Sequence, residues 1–165
     1  MKTLILGMGN PILSDDGVGV WVARALEARL NQQGITVMET SMAGLSLLDL
    51  LANFDRAIII DAIQTTEGKV GQIYLLEPGA FNATRHASTP HDVNFATALE
   101  FGKRLGLALP QQITIFAIEV EDVTTFSEKC TGKVEQMIPV VADMVIQELN
   151  GDSNRHHLEL ANQAL

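Results

Sequence analysis

The sequence predicts an α/β fold, a single domain built on a twisted, mostly parallel five-stranded sheet with helices on both faces. Two observations predict it. Short, wholly apolar runs such as Leu4-Ile5-Leu6 and Ala57-Ile58-Ile59-Ile60 have the character of strands covered on both faces. They alternate with stretches whose apolar residues recur at helical spacing, the pattern of a parallel sheet wound with helices. A chain of 165 residues is long enough to bury roughly 70% of the surface that its unfolded form exposes.

The first strand is Leu4-Ile5-Leu6, closed by Gly7. After a loop, Val18, Trp21, Val22, Ala25, Leu26 and Leu30 mark a helix, with Ser14 as its N-cap and Asp15 and Asp16 in its first turn. Ile35 to Glu39 reads as a second strand, and Leu45 to Leu51 as a short helix opened by Ser41-Met42-Ala43-Gly44. Ala57 to Ala62 is a third strand, and Gln72 to Leu76 a fourth after a turn at Glu67-Gly68-Lys69. Thr89-Pro90 predicts a helix start, threonine as cap and proline at the first helical position, with the helix running from His91 to about Leu105. Ile113 to Ile118 is a fifth strand. From about Lys133 to Leu149, Val134, Met137, Val141 and Val145 share one face of a last helix. Residues 1–150 are read as the α/β domain and residues 151–165 as a polar C-terminal tail.

The net charge of −9 argues against nucleic acid, whose binding depends on lysine and arginine neutralising phosphates; a protein or peptide partner with basic groups suits it better. Cys130 is the one cysteine, so no intramolecular disulfide forms and the expected compartment is the cytoplasm. The start, Met1-Lys2-Thr3-Leu4-Ile5-Leu6-Gly7, is too short an apolar run for a signal peptide. No run approaches the roughly 18 apolar residues of a membrane span, so no membrane partner is expected.

The run from Gly7 to Gly19 carries the chemistry. A glycine-rich turn from strand to helix commonly holds a phosphate, yet Asp15 and Asp16 would repel one, which moves the reading from nucleotide to cation. In an open parallel sheet, ligands bind beyond the carboxyl ends of the strands. Three cation ligands fall on that edge: Asp16 after the first strand, Asp61 ending the third, and His91 starting a helix. Two carboxylates and one imidazole suit nickel or zinc. A helix N-terminus favours the neutral imidazole that binds metal, whereas nearby Asp92 favours the protonated ring.

Each residue also has a structural reading. Asp15 reads first as an ordinary helix-dipole partner, and Asp16 divides evenly between that role and ligation. For Asp61, a carboxylate directly after three isoleucines is costly without a purpose. His86 shares the loop of His91, while His156 and His157 fall in the polar tail. Cys130 has no base beside it in sequence and is not read as a nucleophile. Asn10 and Pro11 read as loop-shaping residues, and Met42 and Met137 as packing.

The Leu6-Gly7-Met8-Gly9-Asn10-Pro11-Ile12-Leu13-Ser14-Asp15-Asp16-Gly17-Val18-Gly19 run, Ile60-Asp61-Ala62, the Thr89-Pro90-His91 helix start and the closing amphipathic helix resemble the hydrogenase maturation endopeptidases. The resemblance covers nearly all of the chain before its last fifteen or so residues. It implies removal of a C-terminal extension from the precursor of a nickel-iron hydrogenase large subunit, after nickel insertion. It also implies that Asp16, Asp61 and His91 are the nickel-contacting and catalytic residues of an aspartyl-type endopeptidase. The metal belongs to the substrate, so the resemblance implies no permanently bound cofactor, with zinc or cadmium as surrogates for nickel. Three positions depart from the family pattern. Asp16 stands where glutamate is frequent, Glu39-Thr40-Ser41-Met42-Ala43-Gly44 replaces an Asp-Gly-Gly-Thr-like segment, and Asn94 replaces a common glycine.

Two other functions remain open on the residues alone. One is a metallohydrolase that holds its own zinc or nickel at the same cluster and acts on small peptides. The other is a Rossmann-like nucleotide-binding module, weakened by Ile12 in place of the third glycine of the fingerprint.

Overall fold

The computed structural model of the chain, described for residues 1–81 and 94–151, contains five strands: β1 (Thr3–Met8), β2 (Ile35–Thr40), β3 (Arg56–Ile63), β4 (Ile73–Leu76) and β5 (Gln112–Glu119). They form one sheet in the order β2-β1-β3-β5-β4. The β1–β2, β1–β3 and β3–β5 pairings are parallel, and β4 runs antiparallel to β5 at one edge. The helices are α1 (Val18–Glu27), α2 (Leu47–Leu51), α3 (Pro78–Phe81), α4 (Phe95–Arg104) and α5 (Gly132–Leu149). Among the described residues no helix is long and apolar enough to cross a membrane.

Two apolar layers explain why the central strands are apolar on both sides. On one face, Ile5, Ile58, Ile60 and Phe116 pack with Val18, Val22 and Leu26 of α1 and Val134, Val141 and Val145 of α5. On the other, Leu4, Leu6, Ile59 and Ile115 pack with Leu47, Leu48 and Leu51 of α2 and Phe95 and Leu99 of α4. The period-two alternation of side chains along β1 and β3 divides the isoleucines and leucines between these layers. The chain leaves β1 through α1 on one face and reaches β3 through α2 on the other, and the gap between the carboxyl ends of these neighbours is a topological switch point, where sheets of this kind bind ligands.

The glycines of the first turn set how closely α1 lies on the sheet. A Cβ on Gly7 would collide with the Gly19 carbonyl and the Ala23 side chain. One on Gly19 would collide with the carbonyls of Met8 and Ile60. The start of α1 therefore rests directly on the backbones of β1 and β3.

Two predicted helix starts are corrected. Ser14 is not the cap of α1: it opens a 3-10 turn, Ser14–Gly17, at φ 49°, and Gly17 occupies the N-cap position of α1. The pull on this turn comes from Asp15, whose carboxylate is bound by a distant loop. The helix placed from His91 to Leu105 begins, within the described residues, at Phe95. Asn94 is its cap, extended at ψ 155° and accepting the Thr97 N–H at 2.8 Å. Asparagine caps as well as threonine does, and the buried face of α4, Phe95, Ala98 and Leu99, starts at that point. Thr89, Pro90 and His91 lie outside the described residues, as do residues 152–165 of the tail.

Replacing Gly19 by alanine is expected to destabilise the fold by about 3 kcal/mol, because backbone cannot yield to the new methyl. Gly132→Ala, where a Cβ meets nothing within 4 Å, is the neutral control. Thermal melts followed by circular dichroism check both.

Candidate active site

The loop after β1 is closed on itself by hydrogen bonds. Gly9 turns the chain at φ 133°, with its α-carbon so near the Asp16 carbonyl that no side chain fits. The N–H of Leu13 donates to the Asn10 carbonyl and that of Asp16 to the Leu13 carbonyl, each at 3.1 Å. The Ile12 N–H donates to Oδ1 of Asn10 at 3.2 Å. Within this frame the Asn10 N–H donates to Oδ2 of Asp16 at 2.9 Å. Burial raises the Asp16 carboxyl above its usual range, and the Asn10 N–H partly opposes that.

Asp61 lies two residues before the end of β3, paired with Ala117 of β5. Only 7% of it is exposed. Its Oδ1 accepts the Ala62 N–H at 2.8 Å. Burial pushes its carboxyl up to about 8, against the lowering effect of the Ala62 N–H and with a smaller contribution from the Asp16 charge.

Both acids line one cleft of about 360 Å³, together with Asn10, Met42, Gln64 and Val123 among others, and the described lining residues include no lysine or arginine. The two carboxyls thus share a site without a compensating base on its described walls. Such a site can take a cation or keep a proton. It repels a phosphate, and the loop N–H that a nucleotide would use, that of Asn10, is already given to Asp16.

Asp15, the neighbour of Asp16, points the other way and is fully buried. Its oxygens accept the N–H groups of Glu121 at 3.2 Å, Asp122 at 3.1 Å and Thr131 at 2.6 Å, and the Thr131 hydroxyl at 3.0 Å. Thr131 is the N-cap of α5, so the carboxylate sits where that helix favours negative charge. Asp15 therefore ties three separate segments together.

A family model described as hydrogenase maturation protease matches residues 20–148. The chain belongs to the hydrogenase maturation protease family. Among curated relatives of this protease, the hydrogenase 2 maturation protease of Escherichia coli K12 is 29% identical over 154 residues, covering 90% of this chain and 91% of that one. HupD, a hydrogenase expression/formation protein of Rhizobium leguminosarum, is 24% identical over 159 residues, covering 90% and 74%. The solved structure of the hydrogenase maturating endopeptidase HybD from E. coli superposes with a TM-score of 0.79 at 28% identity, covering 93% of this chain and 94% of that one. The maturation protease HycI from Thermococcus kodakarensis, with a TM-score of 0.69 at 18% identity over 90% and 92%, shares the fold. The protease is accordingly a peptidase, and the resemblance read from its motifs is borne out.

Of the three residues singled out in the sequence, the structure brings Asp16 and Asp61 to the same cleft, while His91 lies outside the described residues, as do His86, His156 and His157. Among the described residues of the protease, no group of three or more His, Cys, Asp or Glu is arranged to hold a metal ion. Asp15 has the structural role read for it, through α5 rather than its own helix. Asn10 shapes the loop as expected and also holds Asp16. Cys130 is buried against Ser14, and burial, then the Asp15 and Glu135 charges, push its thiol up to about 12, so it is no nucleophile. Met42 is a correction: it was read as packing, but it stands 45% exposed on the cleft wall. Sequence reasoning missed Gln64, whose one signal is its place three residues after Asp61. Its amide donates to the Glu121 carbonyl at 3.1 Å and it lines the cleft.

Two outcomes are expected of variants here. The protonated Asp61 favours the folded state, so its contribution is full below the unfolded pKa and is lost as pH rises through about 8. The slope reaches about 1.4 kcal/mol per pH unit, and Asp61→Asn flattens it, as read from urea melts between those limits. Asp15→Ala costs on the order of 3 kcal/mol, because buried N–H donors lose a charged acceptor; denaturant melts at neutral pH measure it.

Proposed function

We propose that this protease removes the C-terminal extension of a nickel-iron hydrogenase large-subunit precursor after nickel insertion, and that it recognises the substrate through that nickel. The observation that carries the reading is the half-buried Asp16 and the buried Asp61, at adjacent strand ends in a cleft with no described basic residue. The printed functions of the E. coli relatives, a hydrogenase 2 maturation protease and a hydrogenase maturating endopeptidase, support the substrate class. His91 completes the set by the motif that it opens. We place the processing in the cytoplasm, on the single cysteine in the sequence.

In this mechanism Asp16, Asp61 and His91 approach the nickel carried by the precursor and hold it near the scissile peptide. The cation polarises the scissile carbonyl, and a carboxylate or a water attacks it. The protease itself carries no resident metal. A metallohydrolase with its own zinc or nickel would use the same acids, and metal analysis of the purified protein separates the two.

His91→Ala and Asp61→Ala are expected to lower processing of a nickel-loaded precursor about a hundredfold or more, with circular dichroism unchanged for the histidine variant. Wild-type protease leaves nickel-free precursor intact and is purified without a stoichiometric metal. Mass measurement of the products and elemental analysis test these points. Efficient cleavage of nickel-free precursor would overturn recognition through the metal.

A further inference from the structure

Ile12 and Phe126, far apart in sequence, lie on two segments that line the acid cleft through Leu13 and Val123 and are joined by backbone. The Ser127 N–H donates to the Ile12 carbonyl at 3.0 Å, and the Ser14 N–H donates to the Ser127 carbonyl at 2.9 Å, a short parallel bridge centred on Leu13 and Ser127. Beneath it, the buried Asp15 carboxylate holds the N–H groups of Glu121, Asp122 and Thr131. The side chains on this braced ridge are nevertheless turned outward. Phe126 is 82% exposed and Ile12 46%.

A large aromatic held out to water on a hydrogen-bonded ridge gives folding nothing, whereas it gives a partner a fixed apolar surface at little cost in ordering. The ridge is continuous with the cleft, since Leu13 and Val123 of the same two segments line it. Residues 121–129 carry three acids, Glu121, Asp122 and Glu128, against one base, Lys129, and Glu128 is also within electrostatic reach of Arg24. An apolar crest on an acidic segment complements a polypeptide that presents an apolar side chain next to a basic one.

We propose that the Ile12–Phe126 ridge is the docking surface for the substrate polypeptide beside the scissile bond, taking an apolar side chain on Phe126 and Ile12 and a neighbouring basic side chain against Glu121 and Glu128. The proposal rests on the reading of the cleft as the peptidase site and adds the surface that aligns the chain running into it. The ridge binds substrate before and during cleavage alike, so its loss raises KM and leaves kcat nearly intact.

The test is steady-state processing of nickel-loaded large-subunit precursor by wild type, Phe126→Ala, the Ile12→Ala/Phe126→Ala double variant and Phe126→Leu, with Phe101→Ala, exposed on α4, as control. Binding of the same precursor is measured alongside by calorimetry. Phe126→Ala is expected to raise KM roughly tenfold, the size of one truncated anchor. The double variant raises it further, Phe126→Leu restores part of the loss, and the control stays at wild type. Glu121→Gln with Glu128→Gln raises KM at low salt and loses that effect at high salt. Unchanged KM in the double variant, with wild type processing normally, overturns the docking surface and leaves the proposed function standing. A fall in kcat alone overturns docking equally. Wild type that neither binds nor cleaves the precursor overturns both.

Discussion

Between β1 and α1 there is no space for a side chain at residues 7, 9, 17 or 19, and the meeting of Asp16 with Asp61 depends on that close approach. A Cβ at Gly17 would press on the backbone of Pro11, and one at Gly9 on the carbonyl of Asp16 itself. The turn is thus wrapped on its own backbone and set against the ends of two neighbouring strands. Glycines that serve phosphate binding elsewhere serve here to bring a carboxyl into the switch point of the sheet.

Asp15 and Asp16 divide one short turn into a half tied into the fold and a half that faces the cleft. Asp15 is saturated by donors from the loop after β5 and from the start of α5, segments more than 100 residues away in the chain. This fixes the rotation of the 3-10 turn, and the next side chain, Asp16, is left facing the cleft. The same tie steadies the ridge of Ile12 and Phe126 through Ser14 and Ser127. Acid site and ridge are parts of one braced assembly, so a polypeptide lying on one is held in register with the other without ordering a loop.

The sheet was legible because its central strands are buried on both faces, which writes them into the sequence as unbroken apolar runs. Asp61 was legible for the same reason, a carboxyl where the isoleucines stop. The antiparallel direction of β4 was not, since its four residues are half-buried and carry no directional signal. The separate fates of Asp15 and Asp16 are decided by partners at residues 121–131, so local pattern gives only helix-dipole odds to either. Asn94 was passed over because Thr89-Pro90 offered a stronger local cap signal. Met42 looks like core in composition, and only the path of the chain after β2 places it on the cleft.

Acids shielded from water in this chain have named partners. Glu148 meets the buried Arg56 at 2.6 Å, Glu119 accepts the Thr65 N–H at 2.7 Å and its hydroxyl at 3.0 Å, and Asp15 is ringed with donors. Asp16 and Asp61 each accept a backbone N–H as well, from Asn10 and Ala62. They are the two described acids whose carboxyls are raised, burial being the main cause in each, and they face one another's cleft. Burial of a carboxyl disfavours its charged form, and a second acid nearby adds to that. Two raised carboxyls concentrated at one strand-end cleft have the character of a functional site.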